Sequence, residues 1–222
     1  MSNSTTLSPL QGVALDMDGL LFDTERLYWQ VGDEILRRRG YRFDDELQMR
    51  MMGRVGTAAM QQMIDMHQLD DSPDVLLLES EELFGALLVK DLQPMPGLAE
   101  WIDLLHRSGL PFGLATSSRR MFVDVILARS DWSDLLSFVL TGDDVVNGKP
   151  HPEMYLSAAA KMSIDPTLML VLEDSSNGCR AAVAAGAQTV AVPSEHTKSQ
   201  DFSGAILIAD SLLDPRLHAL IG

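Results

Sequence analysis

Acidic and hydroxyl side chains stand at the ends of three short apolar runs, at residues 12–15, 112–115 and 169–172. The acidic residues are Asp16, Asp18, Glu173 and Asp174, and the hydroxyl residues are Thr116, Ser117 and Ser118. Short apolar runs that end at polar turns are typical of buried strands, and ligands of open parallel sheets bind beyond the carboxyl ends of their strands. We therefore expect these side chains to meet at one edge of a sheet.

Four carboxylates at one place favour a bound cation. They would repel one another and raise one another's pKa values unless a cation neutralised them. Hard oxygen ligands, in a chain whose five histidines show no metal-binding spacing, favour Mg²⁺ over zinc. Because Mg²⁺ is usually completed by water and substrate phosphate, the sequence predicts a magnesium site for a phosphorylated ligand.

The elements that position these residues alternate between two types. Further apolar runs are at residues 138–140, 189–192 and 206–208, and helical patterns are at residues 97–107, 121–129, 152–162 and 177–185. Strands that alternate with helices predict an α/β fold. We expect a Rossmann-like, three-layer core built on a parallel sheet.

One interval breaks this alternation. Between Thr24 and Lys90 the pattern is helical, with amphipathic stretches at residues 26–39, 58–67 and 75–89. Two prolines and a glycine at residues 94–97 then restrict the backbone. We predict an all-helical cap domain of residues 24–92, inserted into a core made of residues 1–23 and 93–222.

Composition limits the partners and the compartment. The 222 residues carry a formal charge of −15, which would repel nucleic acid and anionic lipid. The apolar runs are too short for a membrane helix, and the polar N-terminus does not resemble a secretory signal. A single cysteine, Cys179, excludes an intramolecular disulfide. We expect a cytoplasmic monomer without nucleic-acid or membrane partners.

Four ordered motifs carry a family resemblance. Residues 16–23, Asp-Met-Asp-Gly-Leu-Leu-Phe-Asp, resemble the first motif of the haloacid dehalogenase-like phosphohydrolases. Thr116, Lys149 in Gly-Lys-Pro-His-Pro, and the Glu173-Asp174 pair before Ser-Ser-Asn-Gly follow in that family's order. In this family, Gly is commoner than Glu at the position of Glu173. A glutamate there resembles the subgroup of β-phosphoglucomutase and sugar phosphatases, which has a helical cap.

The resemblance implies catalytic roles. Asp16 would be the nucleophile that forms an aspartyl-phosphate, and Asp18 would be the general acid and base. Thr116 would hydrogen-bond a phosphoryl oxygen, and Lys149 would supply positive charge. Mg²⁺ would be held by Asp16, by the backbone carbonyl of Asp18 and by the Glu173-Asp174 pair. Which member of that pair binds the ion directly stays open.

Four more residues are candidate substrate ligands. Ser117 and Ser118 adjoin Thr116, and Arg54 in the cap could bind an anionic group through its guanidinium. Glu25, at the start of the cap, could contact substrate, or its negative charge could stabilise the N-terminus of the helix that follows.

The function that this set predicts is hydrolysis of a small phosphorylated metabolite, a sugar or polyol phosphate. One alternative is a phosphosugar mutase that resembles β-phosphoglucomutase. Comparison with that mutase disfavours this alternative, because the mutase has a histidine where this chain has Tyr28. A pyrophosphatase is a second alternative. A non-catalytic binding protein is a third, although neither the nucleophile nor the lysine is missing.

Overall fold

The computed structural model, which describes residues 9–51, 54 and 56–222, contains a six-stranded parallel sheet. The strands are β1 (Gly12–Leu15), β2 (Phe112–Ala115), β3 (Phe138–Leu140), β4 (Met169–Glu173), β5 (Gln188–Ala191) and β6 (Leu207–Ile208). Their spatial order is β3-β2-β1-β4-β5-β6, with every neighbouring pair parallel. The predicted α/β fold class is confirmed.

The register brings the ends of the three central strands level. Leu15 pairs with Leu114 on one side and with Leu172 on the other. The residue that follows β1 therefore lies beside the last residues of β2 and β4. All residues of β1, β2 and β4 are buried, as expected for parallel strands that are covered on both faces.

The helices follow the strands or fill the interval after β1. They are α1 (Thr24–Arg37), α2 (Asp45–Met51), α3 (Thr57–His67), α4 (Pro73–Asp91), α5 (Leu98–Ser108), α6 (Arg120–Leu127), α7 (Glu153–Met162), α8 (Ser176–Ala184) and α9 (Pro215–His218). The sequence patterns indicated most of these within one or two residues at each end, but α2 and α9 were not among the indicated helices. Both are short, with seven and four residues, so they present little periodicity.

Helices α7 and α8 belong to the same hydrophobic core as the sheet. Tyr155 and Ala158 of α7 and Ala181 of α8 are fully buried in one cluster with Met169 and Val171 of β4. Ser175 caps the N-terminus of α8, because its hydroxyl accepts a hydrogen bond from the Gly178 backbone N–H at 3.1 Å. This core holds the segments on both sides of β4 in fixed positions.

The chain divides into two compact units. One contains the described residues up to Phe22 together with Pro94–Gly222, and the other is Asp23–Gln93, one residue wider at each end than the predicted cap. The smaller unit is helical, and its buried apolar side chains include Leu27, Leu36, Met63, Leu76, Phe84 and Leu88. Asp23 caps α1, and Ser72 with Pro73 begins α4.

None of the helices in the described part of the chain combines the length and the apolar character that crossing a membrane requires. The cytoplasmic location and the monomeric state stay predictions.

Candidate active site

The loop after β1 lies against the end of β4. The backbone N–H of Asp16 donates to the Leu172 carbonyl at 3.0 Å. Gly19 has a φ of +75°, and a Cβ at this position would lie 2.3 Å from Asp174 Oδ2. Glycine at position 19 therefore permits both the turn of the loop and the close approach of the Asp174 carboxylate.

Lys149 joins the ends of β1, β2 and β4. Its Nζ donates to Asp16 Oδ1 at 2.5 Å, to Glu173 Oε1 at 2.6 Å and to the Ala115 carbonyl at 2.8 Å. Only 6% of the lysine side chain is exposed. Because an ammonium group has three protons to donate, these three bonds use its whole donor capacity and hold it in one position.

The Glu173 carboxylate is enclosed on all sides. Its Oε1 also accepts a hydrogen bond from the Tyr155 hydroxyl, and its Oε2 accepts one from Ser175 Oγ at 3.1 Å. A Cβ at Gly178, in the first turn of α8, would lie 1.9 Å from the Glu173 carboxylate carbon. The Glu173 side chain is thus held by its partners and by the absence of a side chain at Gly178.

The two oxygens of Asp18 have different surroundings. Oδ2 accepts hydrogen bonds from Thr116 Oγ1 at 2.9 Å and from Ser118 Oγ at 2.8 Å. Oδ1 is buried and has no hydrogen-bond partner among the described residues. One oxygen therefore orients the carboxyl group, and the other retains its capacity to exchange a proton with a bound molecule.

Burial and neighbouring charges shift the pKa values of this cluster. It raises the pKa of Asp16 to about 8, an effect that Lys149 partly offsets and that the charges of Glu173 and Asp18 strengthen. Burial by itself would lower the pKa of Lys149, but the nearby Asp16 and Glu173 carboxylates outweigh it and raise that pKa. Burial and then the charge of Glu173 raise the pKa of Tyr155, so its hydroxyl remains a donor.

The acidic cluster fits a divalent cation. Carboxylate oxygens of Asp16, Glu173 and Asp174 lie within 4.8 Å of one another, and all three residues are buried. The only buried ammonium group that neutralises them among the described residues is that of Lys149. Three carboxylates with one ammonium group leave an excess of acidic groups, which a divalent cation would neutralise.

The structure brings most of the predicted site residues of the sheet unit into direct contact. Asp16, Lys149 and Glu173 form one linked group, and Asp18, Thr116 and Ser118 form a second. Ser117 is exposed, and its backbone carbonyl packs against Gly142.

The two predicted cap ligands belong to the helical unit. Glu25 is half-buried in the first turn of α1. Arg54 is exposed, and its Nε donates to the Arg50 carbonyl at 2.9 Å. Their roles in substrate binding stay predictions.

Sequence reasoning gave no role to three residues that contact Glu173 or lie against it: Tyr155, Ser175 and Gly178. Tyr155 stands at an apolar position of a helix and has the pattern of an ordinary core aromatic. Ser175 and Gly178 follow Asp174 closely, and a serine three residues before a glycine at the start of a helix was the available signal.

Comparison with known proteins identifies the family. Residues 13–192 match the family described as haloacid dehalogenase-like hydrolase, and the chain belongs to this family. The resemblance and the enzyme class drawn from the sequence are thereby confirmed.

Two curated relatives come from Arabidopsis thaliana. The bifunctional riboflavin kinase/FMN phosphatase is 31% identical over 220 residues, which are 98% of this chain. The chain spans 58% of the length of that relative. The mitochondrial (DL)-glycerol-3-phosphatase 1 is 34% identical over 211 residues, which cover 91% of this chain and 70% of the relative.

A solved structure agrees with this assignment. The crystal structure of CbbY from Rhodobacter sphaeroides in complex with phosphate superposes with a TM-score of 0.80 at 26% identity. The match covers 91% of this chain and 95% of the CbbY chain.

Proposed function

We propose that this protein is a Mg²⁺-dependent phosphatase that hydrolyses a sugar or polyol phosphate through a phosphorylated Asp16. The observation that carries the proposal is the pairing of a buried carboxylate, Asp16, with a fully engaged lysine, beside a second carboxyl group with one unpartnered oxygen, Asp18 Oδ1. A nucleophile next to a positive charge and a general acid is the arrangement that phosphoryl transfer requires.

The first half of the reaction forms the covalent intermediate. An oxygen of the Asp16 carboxylate attacks phosphorus while the bond between phosphorus and the ester oxygen breaks. The leaving alkoxide takes a proton from Asp18 Oδ1, and Thr116 and Ser118 keep the Asp18 carboxyl oriented through Oδ2. Lys149 stabilises the negative charge on Asp16 and on the phosphoryl group.

The second half returns the enzyme to its starting state. Asp18, now a carboxylate, removes a proton from water as the water oxygen attacks phosphorus. The bond between phosphorus and Asp16 breaks, which releases inorganic phosphate and restores both carboxyl groups. The same residue therefore serves first as acid and then as base.

Asp16, Asp174 and the backbone carbonyl of Asp18 would hold Mg²⁺. Glu173 is the less suitable direct ligand, because its two oxygens already accept three hydrogen bonds out of about four positions. When bound, the metal ion neutralises the carboxylates and stabilises charge on the transferring phosphoryl group.

The proposed substrate class rests on the chemistry of the compounds that the relatives are named for. FMN and glycerol 3-phosphate both carry their phosphate on an alcohol of a polyol chain, and relatives of this chain are named as phosphatases of these compounds. We propose a substrate with the same kind of ester. Selection of that substrate by the helical unit, with Glu25 and Arg54, belongs to the same proposal.

Phosphate release from a panel of sugar, polyol and nucleoside phosphates and pyrophosphate tests the function. We expect wild-type protein to release phosphate from sugar or polyol phosphates only when Mg²⁺ is present. Asp16→Asn should remove this activity, because the amide is a poor nucleophile. Asp103→Asn, on the exposed face of α5, is the matched control and should retain it.

Three other results would contradict the proposal. Preference for pyrophosphate would assign a pyrophosphatase, and interconversion of glucose phosphates without release would assign a mutase. Release that survives Asp16→Asn would exclude the covalent mechanism.

A further inference from the structure

We infer that Tyr155 and Glu173 are positioning residues that hold the Lys149 ammonium group on Asp16. This role rests on the proposed function, in which Lys149 acts beside the nucleophile. It assigns Glu173 to the lysine rather than to the metal ion. It also gives a function to a tyrosine that sequence patterns treat as a core residue.

The first argument is the number and kind of Glu173 contacts. Its carboxylate accepts hydrogen bonds from Lys149, Tyr155 and Ser175, and 1% of its side chain is exposed. A buried carboxylate is costly unless charge and hydrogen bonds compensate it. Here the compensation comes from protein groups, so Glu173 is complete as an anchor for the lysine.

The second argument is that Tyr155 acts on the lysine both through Glu173 and through its ring. Its hydroxyl donates to Glu173 Oε1, the same oxygen that accepts a hydrogen bond from Lys149. The Lys149 Nζ also lies 5.1 Å from the centre of the Tyr155 ring, within the range of a cation–π contact. The ring and the anchored carboxylate together restrict where the ammonium group can lie.

The third argument is the space around the anchor. No Cβ fits at Gly178 while Glu173 keeps its position, since the two would lie 1.9 Å apart. Tyr155 is fully buried within the core cluster that includes Met169 and Val171 of β4, so the core restricts where its hydroxyl can lie. The anchor is therefore preorganised before substrate binds.

A direct test observes the lysine ammonium groups by proton–nitrogen correlation spectroscopy on protein with isotope-labelled lysine. The chain has four lysines, and Lys90, Lys161 and Lys198 are exposed. Lys149 should give the one slowly exchanging ammonium signal, identified by its loss in Lys149→Met. We expect Tyr155→Phe to shift or broaden this signal while the other lysine signals stay unchanged.

Kinetics on the same variants separate positioning from metal binding. We expect Tyr155→Phe to lower kcat about tenfold, with little change in KM or in the Mg²⁺ concentration required, because a hydrogen bond to a charged group is lost. Glu173→Gln should act in the same way. The double variant should be no slower than the slower single variant, because both changes act on one group. Tyr41→Phe, in the helical unit, is the control for loss of a hydroxyl.

The possible failures are distinguishable. If Glu173→Gln mainly raises the Mg²⁺ requirement, or if the two changes are additive, the positioning role is wrong. If Tyr155→Phe lowers only the thermal unfolding midpoint and leaves kcat and the lysine signal unchanged, the tyrosine is merely structural. If wild-type protein releases no phosphate from any compound, the proposed function fails, and the lysine signal alone then decides whether Tyr155 positions Lys149.

Discussion

Two ion networks of similar geometry have different surroundings in this molecule. In the helical unit, Arg39 donates to Asp71 and Glu79 over distances of 2.8 Å. In the sheet unit, Lys149 donates to Asp16 and Glu173 at 2.5 and 2.6 Å. The three side chains of the first network are 17% to 23% exposed, whereas those of the second are 1% to 8% exposed.

Because of this difference in burial, the pKa of the carboxylate shifts in opposite directions in the two networks. The hydrogen bond from Arg39 lowers the pKa of Asp71, because water still solvates part of the pair. Burial raises the pKa of Asp16 despite the adjacent lysine. Paired charges alone therefore do not indicate a site. Excess buried negative charge at the end of a strand does, since such a cluster either takes up a proton or is neutralised by a further cation.

The largest expected effect is that of Lys149→Met. Removal of a charge that faces the reacting group should lower kcat about a hundredfold to a thousandfold. Arg39→Met removes the corresponding cation of the helical unit and should leave kcat near the wild-type value. Both are measured with saturating Mg²⁺ on variants whose circular dichroism shows them to be folded. Equal losses in the two variants would contradict the comparison.

Gly178→Ala should disturb the buried network without removing a charge. The new methyl group displaces the Glu173 carboxylate and with it the Lys149 ammonium group. We expect kcat to fall about tenfold or more, because small displacements of catalytic groups are costly. In a Glu173→Ala background the same change should have little further effect. A full additional loss in that background would place the cause elsewhere in α8.

The pH dependence of stability should have opposite signs in the two networks when metal is removed with a chelator. Because the folded pKa of Asp16 is raised from 3.8 to about 8, its contribution to the free energy of unfolding is present at low pH and is lost as pH rises through that range. The lowered pKa of Asp71 has the reverse effect, so its contribution is lost as pH falls below its ordinary value.

Urea unfolding at a series of pH values, from acid pH to above pH 8, measures how the free energy of unfolding changes with pH in each range. Asp16→Asn should abolish the loss of stability toward pH 8, and Asp71→Asn should weaken the loss at acid pH. Mg²⁺ should also reduce the first slope and leave the second unchanged. A slope that Asp16→Asn does not alter would show that another group titrates.

The smallest expected effect is that of Arg39→Lys. A lysine keeps the charge but cannot form the two parallel hydrogen bonds to Asp71, so we expect a loss of about 1 kcal/mol in the free energy of unfolding. Chemical denaturation measures this loss, and kcat should not change. An unchanged stability would mean that the guanidinium geometry contributes nothing measurable.

The sequence predicted the sheet well, and it predicted that the polar residues after its strands lie close together. Strands β1, β2 and β3 have the bounds that their apolar runs indicated, since a buried strand between polar turns leaves a clear pattern. Helix α2 left no such pattern, because it has seven residues, of which Leu47 alone is buried. Asp16, Asp18 and Thr116 were recognisable because residues that end parallel strands share one edge of the sheet.

The sequence by itself determined the family, the parallel sheet and the set of carboxylates at its edge, because these follow from residue types and from their spacing along the chain. Only the tertiary structure decided which oxygen of Asp18 is unpartnered, that Glu173 anchors on Lys149, and that Tyr155 contacts both. Hydrogen bonds depend on tenths of an ångström and on the number of acceptor positions already used. Those quantities arise when α7, β4 and α8 pack together, and no spacing within the chain encodes them.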